Sequence, residues 1–119
     1  MKNPVKELMQ DRAAIGTFLT LGSPAVSEIL ADVGYDFVII DTEHGPLSVE
    51  SAMAHMQALG KGPCVPLIRV AWNEMALIKR ALDIGAYGVV VPMVNTAEEA
   101  MRAVAYSKYP PLGTRGFGA

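Results

Sequence analysis

Four short apolar runs, rich in Val and Ile, constrain this chain more than any other feature. They are Ala14 to Leu19, Phe37 to Ile40, Val65 to Val70 and Gly88 to Met93. None shows the polar alternation of a half-solvated strand, so each reads as a strand covered on both faces, the habit of parallel sheets. Parallel neighbours cannot be joined by a tight hairpin and need a crossover, usually a helix. The intervening segments carry helix punctuation. Ser23 followed by Pro24 starts one helix and Gly34 stops it. Ser48 starts a second that closes at Gly60. Asn73 starts a third, with Leu77, Ile78, Ala81 and Leu82 as its apolar face and Gly85 as its end. Thr96 with Glu99 forms a capping box for the fourth. A βα unit therefore repeats four times at a period of about 25 residues.

Two parallel architectures accept such a repeat. One is an open doubly wound sheet; the other is a closed barrel of eight units that typically takes about 250 residues. Four units are half of that barrel, and the 119 residues form one partial domain, with residues 1–12 as a lead-in segment. At 51% apolar and 18% charged residues the composition is globular. The ten Lys and Arg are scattered singly and the formal charge is −2, so no basic stripe offers itself to nucleic acid or an anionic membrane. Small molecules and protein partners remain. The opening MKNPVKELMQDR has no apolar core of a secretory signal, and no window approaches a membrane span, which points to the cytoplasm. Cys64 is the only cysteine and reads as a small buried hydrophobe.

In both architectures ligands bind where the strands end, because strand interiors are filled by packing. The first strand is followed by Thr20, Gly22 and Ser23, the second by Asp41, Glu43 and His44; Arg69 lies near the end of the third, and Pro92 and Met93 close the fourth. An arginine in an apolar strand would bury an unpaired charge unless an anion meets it. That anion is either Asp41 or Glu43, in an internal salt bridge, or a substrate carboxylate. His44 beside a strand-end aspartate suits a general base, since a carboxylate can fix the imidazole tautomer. His55, mid-helix without an acidic neighbour at the next turn, reads as a surface or packing residue. No nucleophile elbow is present. Lys79 lies in a helix and Lys61 precedes a strand, so no strand-end lysine offers a Schiff base. Carbonyl chemistry at this rim would need a metal ion as electron sink. The GTRGFG at 113–118 follows the fourth helix and reads as a loop rather than a dinucleotide cradle.

Four ordered motifs carry a resemblance: IIDTEHGP at 39–46, PLIRVAWNE at 66–74, IKRALDIGAYGVVVPMV at 78–94 and YPPLGTRG at 109–116. Together they resemble the HpcH/HpaI aldolase family, the metal-dependent class II aldolases of 4-hydroxy-2-oxo acids and 2-keto-3-deoxy sugar acids. The resemblance runs from residue 13 onward. It implies the N-terminal half of a (β/α)8 barrel of the phosphoenolpyruvate/pyruvate type, a homo-oligomer that is a hexamer in the family. It also implies His44 as base, Asp41 as its orienting partner, and Arg69 as the residue that holds the 2-oxo acid and its enolate. Glu43 is implied near the water shell of a divalent cation, Mg²⁺, Mn²⁺ or Co²⁺. The implied substrates are small 2-oxo acids and aldehydes.

The family's direct metal ligands, a glutamate and an aspartate, stand at the ends of later strands that this sequence does not contain. A fragment of a longer aldolase is therefore expected, inactive or nearly so when isolated. The residues also allow two other readings: a non-catalytic half-barrel that serves as an oligomerisation or binding module, and a small flavodoxin-like domain in which Arg69 and His44 hold an anion.

Overall fold

The computed structural model describes residues 3–60 and 62–118, so Lys61 lies outside the described residues. Four strands, β1 (Gly16–Leu19), β2 (Phe37–Asp41), β3 (Val65–Arg69) and β4 (Val89–Val90), form one sheet in the order β1-β2-β3-β4, every pair parallel. A short helix α1 (Pro4–Leu8) precedes them. Helices α2 (Pro24–Asp32), α3 (Val49–Leu59), α4 (Met75–Asp83) and α5 (Ala97–Ser107) come after the four strands in turn. This is an α/β half-barrel.

The strand order decides between the two architectures. A doubly wound sheet reverses direction at a switch point and covers both faces with helices. Here each crossover adds its strand on the same side of the last. Right-handed crossovers then leave all the helices on one face, α2 against α3 and α4 against α5. The flavodoxin-like reading is thereby replaced by the barrel one.

Register explains where the core sits. Leu19, Ile40 and Ile68 align across three strands and are buried, and with Val38 they meet Ala52 and Leu59 of α3 and Ile78 and Ala81 of α4. Burying a side chain the size of Ile40 contributes roughly 1.5–3 kcal/mol. The alternate row, Phe18, Ile39 and Leu67, faces the helix-free side, and Phe18 there is 50% exposed. Asp41 and Arg69 share the parity of this row and are paired in register, so both project from the helix-free face at the C-terminal ends of β2 and β3.

The helix boundaries obey local chemistry closely. Ser48 and Thr96 close capping boxes with Ser51 and Glu99, and Gly34, Gly60 and Gly85 take positive φ after their helices. Ser23 occupies the N-cap of α2 without a side-chain cap bond. Two expectations change. Glu74, not Asn73, is the N-cap of α4, because the Asn73 amide instead donates to the Glu99 carbonyl at 2.9 Å, across to α5. Only Val89 and Val90 of the fourth apolar run pair as strand, with Ile68 and Arg69 of β3. The lead-in is not featureless: the Asn3 side chain accepts the Val5 N–H at 3.1 Å, and α1 buries Val5 beside Pro63 and Val65, at the start of β3.

The same end of the sheet is pinned by charge. Arg12 donates twice to Asp36, at 2.9 and 2.6 Å, and the Ile15 N–H adds a third bond at 2.8 Å; Arg12 first and Ile15 second hold the Asp36 carboxyl at about 2.

Between α2 and α3 lies a fully buried polar pair, Ser27 Oγ and His55 Nδ1, 2.8 Å apart. His55 is thus a packing residue, and its buried Nε2 finds no partner among the described residues. Burial lowers its pKa below 6.5. The unfolded chain takes up that proton first as pH falls, so the stability tied to neutral His55 is complete above about 6.5 and declines below it. The urea midpoint should therefore be lower at pH 5.5 than at pH 7.5. In His55→Gln the difference should shrink, and an equal drop in that variant would remove His55 as its source.

Candidate active site

The rim cluster begins with a strand pair. Because Asp41 and Arg69 are in register on neighbouring strands, their side chains lie side by side. Arg69 Nε donates to Asp41 Oδ1 at 2.9 Å and Nη2 to Oδ2 at 2.6 Å, a two-pronged pairing whose planar fork lysine could not reproduce. The Asp41 side chain is 1% exposed and that of Arg69 22%. Asp41 Oδ1 also accepts the backbone N–H groups of Glu43 and His44, at 3.0 and 3.3 Å. Arg69 first, and then these two amides, hold the Asp41 carboxyl at about 2 against the opposing effect of burial.

The chain then turns sharply over its own aspartate. Thr42 fixes the base of the turn, its N–H and its hydroxyl both donating to the Arg69 carbonyl, at 3.0 and 2.7 Å. At Gly45 a Cβ would come within 2.8 Å of the Asp41 carbonyl oxygen, so a side chain there would force the turn apart. Glu43 comes back toward the cluster, its Oε2 at 3.2 Å from Arg69 Nε and its Oε1 at 3.5 Å from His44 Nε2. The His44 ring stands out from the rim, 72% exposed. On the other side Arg69 lies over the Phe18 ring at 4.8 Å, a cation–π contact from β1.

Asp41, Glu43, His44 and Arg69 are therefore together. The internal salt bridge is present, made to both carboxylates rather than one. Asp41 meets His44 through the main chain, and the carboxylate nearest the imidazole is Glu43. Phe18 is a member of the cluster that sequence reasoning missed; its signal exists only once β1 is placed in register beside β2, two rows below the rim.

The family model for HpcH/HpaI aldolase/citrate lyase matches residues 14–118, which takes in every one of these side chains. The chain belongs to that family. It is 41% identical to the 4-hydroxy-2-oxo-heptane-1,7-dioate aldolase of Salmonella dublin over 120 aligned positions, covering 100% of this chain and 46% of the relative. An HpcH/HpaI aldolase/citrate lyase family protein from Burkholderia cenocepacia superposes with a TM-score of 0.91 at 34% identity, covering 98% of this chain and 49% of that one. The HpcH/HpaI aldolase of Desulfitobacterium hafniense superposes with a TM-score of 0.88 at 32% identity, covering 100% and 46%. The chain thus spans about half the length of these relatives.

The HpcH/HpaI half-barrel does not by itself fit a divalent cation. Asp41 directs both oxygens at Arg69 and Glu43 is shared between Arg69 and His44. Among the described residues no group of three or more His, Cys, Asp or Glu side chains is placed to hold a metal ion. Nor, among them, is any helix long and apolar enough to cross a membrane.

Asp41→Ala should destabilise the chain by about 3 kcal/mol, because it leaves the Arg69 guanidinium mostly buried with Glu43 alone. Removing both charges in Asp41→Ala/Arg69→Met should recover part of that loss, and a double variant less stable than Asp41→Ala would contradict the pairing. The Asp41 contribution is complete above about 3.8 and disappears as pH falls toward about 2, which acid denaturation of wild type against Asp41→Asn will read.

Proposed function

We propose that this chain is the N-terminal half of an aldolase that cleaves a 4-hydroxy-2-oxo acid to pyruvate, or a similar 2-oxo acid, and an aldehyde. The observation that carries this reading is the joint placement of Arg69, Glu43 and His44 at one rim of an HpcH/HpaI half-barrel. The 4-hydroxy-2-oxo-heptane-1,7-dioate aldolase named among its relatives supports the substrate class.

The chemistry assigned to the chain's own groups is limited and specific. Arg69 Nη1 has no partner among the described residues, while Nε and Nη2 are held by Asp41 and Glu43. A fixed guanidinium with one free edge suits the 2-oxo acid's carboxylate and the oxygen that becomes negative when the C3–C4 bond breaks. His44, exposed beside Glu43, takes the proton of the 4-hydroxyl as the new aldehyde carbonyl forms. Protonation of the enolate at C3 completes the 2-oxo acid. Asp41 keeps Arg69 charged and fixes the turn that carries His44. The divalent cation expected of the class, Mg²⁺, Mn²⁺ or Co²⁺, finds no ligand set in these residues, and no step of these side chains passes through it.

The isolated 119-residue chain should release no pyruvate from 4-hydroxy-2-oxoheptanedioate in a lactate dehydrogenase-coupled assay. Fused to the C-terminal half of the Salmonella relative, it should turn over. In that fusion His44→Ala and Arg69→Ala should each lower kcat/KM by roughly 10²–10⁴-fold. Near-normal rates in either variant would remove that residue from its role, and an inactive but well-folded fusion would count against the aldolase reading as a whole.

A further inference from the structure

His44 stands at the rim with a carboxylate beside its ring, and that carboxylate is not the strand-end aspartate. Asp41 is fully committed elsewhere. Its Oδ1 accepts Arg69 Nε and the backbone N–H groups of Glu43 and His44, its Oδ2 accepts Arg69 Nη2, and its side chain is buried. It fixes where the His44 backbone stands and leaves the ring to another group. Glu43 is placed to take it. Its side chain is mostly buried, its Oε2 lies 3.2 Å from Arg69 Nε, and its Oε1 lies 3.5 Å from His44 Nε2. All of these groups belong to β2, the turn that follows it and β3, the two inner strands of the sheet.

The choice of nitrogen has a chemical consequence. In a neutral imidazole one nitrogen carries the proton and the other a lone pair, and a carboxylate facing one nitrogen draws the proton there. With Glu43 at Nε2, the proton belongs on Nε2 and the lone pair on Nδ1. A separation of 3.5 Å is long for a hydrogen bond, but contacts of this kind commonly tighten only when substrate is bound.

Building on the aldolase reading above, we propose that Glu43 is the positioning residue of His44, and that Nδ1 of His44 is the atom that takes the 4-hydroxyl proton. As that proton passes to Nδ1, the O–H electron pair becomes the second bond of the aldehyde carbonyl, and the C3–C4 pair becomes the enolate. The imidazolium then carries a proton on each nitrogen, with Glu43 facing one of them. Loss of the Nδ1 proton as C3 of the enolate is protonated restores the neutral base. Through its other oxygen Glu43 ties this base to the arginine assigned to the 2-oxo end of the same substrate.

Two readouts on the fusion described above test the assignment, and the first needs no turnover. With ¹⁵N-labelled histidine, and the His44→Ala spectrum as the difference, ring shifts are read at about pH 8.5, above the ordinary imidazole range. His44 should carry its proton on Nε2 alone in the native sequence and as a mixture of tautomers in Glu43→Ala. The second readout is kinetic. Placing Nδ1-methylhistidine at position 44 should lower kcat roughly 10²–10⁴-fold, as far as His44→Ala does. Glu43→Ala should lower kcat about tenfold or more with KM within about twofold, since Arg69 keeps both of its bonds to Asp41. If Glu43→Ala loses its native circular dichroism, Glu43→Met, of similar length, replaces it. A His44 proton on Nδ1, or the same tautomer mixture with and without Glu43, would overturn the proposal even in a folded fusion that fails as an aldolase. So would an Nδ1-methylated protein that turns over within about tenfold of the native rate, or a Glu43 variant that raises KM alone.

Discussion

Everything at the rim depends on one ion pair formed between two strands. Asp41 and Arg69 hold register positions on β2 and β3, so their contact is a consequence of the ladder and needs no loop to arrange it. Once made, it shapes the rest of the rim. The aspartate has a second duty, receiving the amides of Glu43 and His44, and so converts a fixed strand end into a fixed turn. Glu43 returns to the same guanidinium, and His44 is carried on the outside of that turn. A lone charge at either strand end would be costly to bury; the two together are tolerable only because the hydrogen bonds are nearly complete. Among the described residues Nη1 of Arg69 is the one guanidinium nitrogen that neither carboxylate takes up.

The repeat itself is plain in the residues because each unit carries its own punctuation. Val- and Ile-rich runs, Pro24 behind Ser23, and the boxes at Ser48 and Thr96 act within a few residues, and local rules read them well. The sheet order is not so readable. Both a barrel and a doubly wound sheet are made of the same units, and only the direction in which successive crossovers advance separates them.

The site is half legible for a related reason. Asp41, Glu43, His44 and Arg69 can be placed on one rim from strand ends alone, and an internal partner for Arg69 is one of two open readings. Which carboxylate faces the imidazole cannot be read, because it depends on how the turn after Asp41 folds back, a matter of hydrogen bonds between residues one to three apart. The burial of His55 with Ser27, and the ring of Phe18 beneath Arg69, depend on how neighbouring units abut. Asn73 shows the same limit from the other side: a good cap in sequence, it is drawn away by a carbonyl on α5.

Five polar contacts between segments share a similar spacing, while Arg115–Asp83 spans 32 residues. Arg12–Asp36, Asn73 with the Glu99 carbonyl, Thr42 with the Arg69 carbonyl, Ser27–His55 and Asp41–Arg69 are separated by 24, 26, 27, 28 and 28 residues. Arg12–Asp36 ties the lead-in to the start of β2, and each of the other four joins a βα unit to the next. A chain wired this way can order itself progressively while it is being synthesised, every new unit finding its anchors already in place on the one before. The Asp41 turn gains its arginine only when β3 has emerged, so the rim is shaped about one unit behind the growing end.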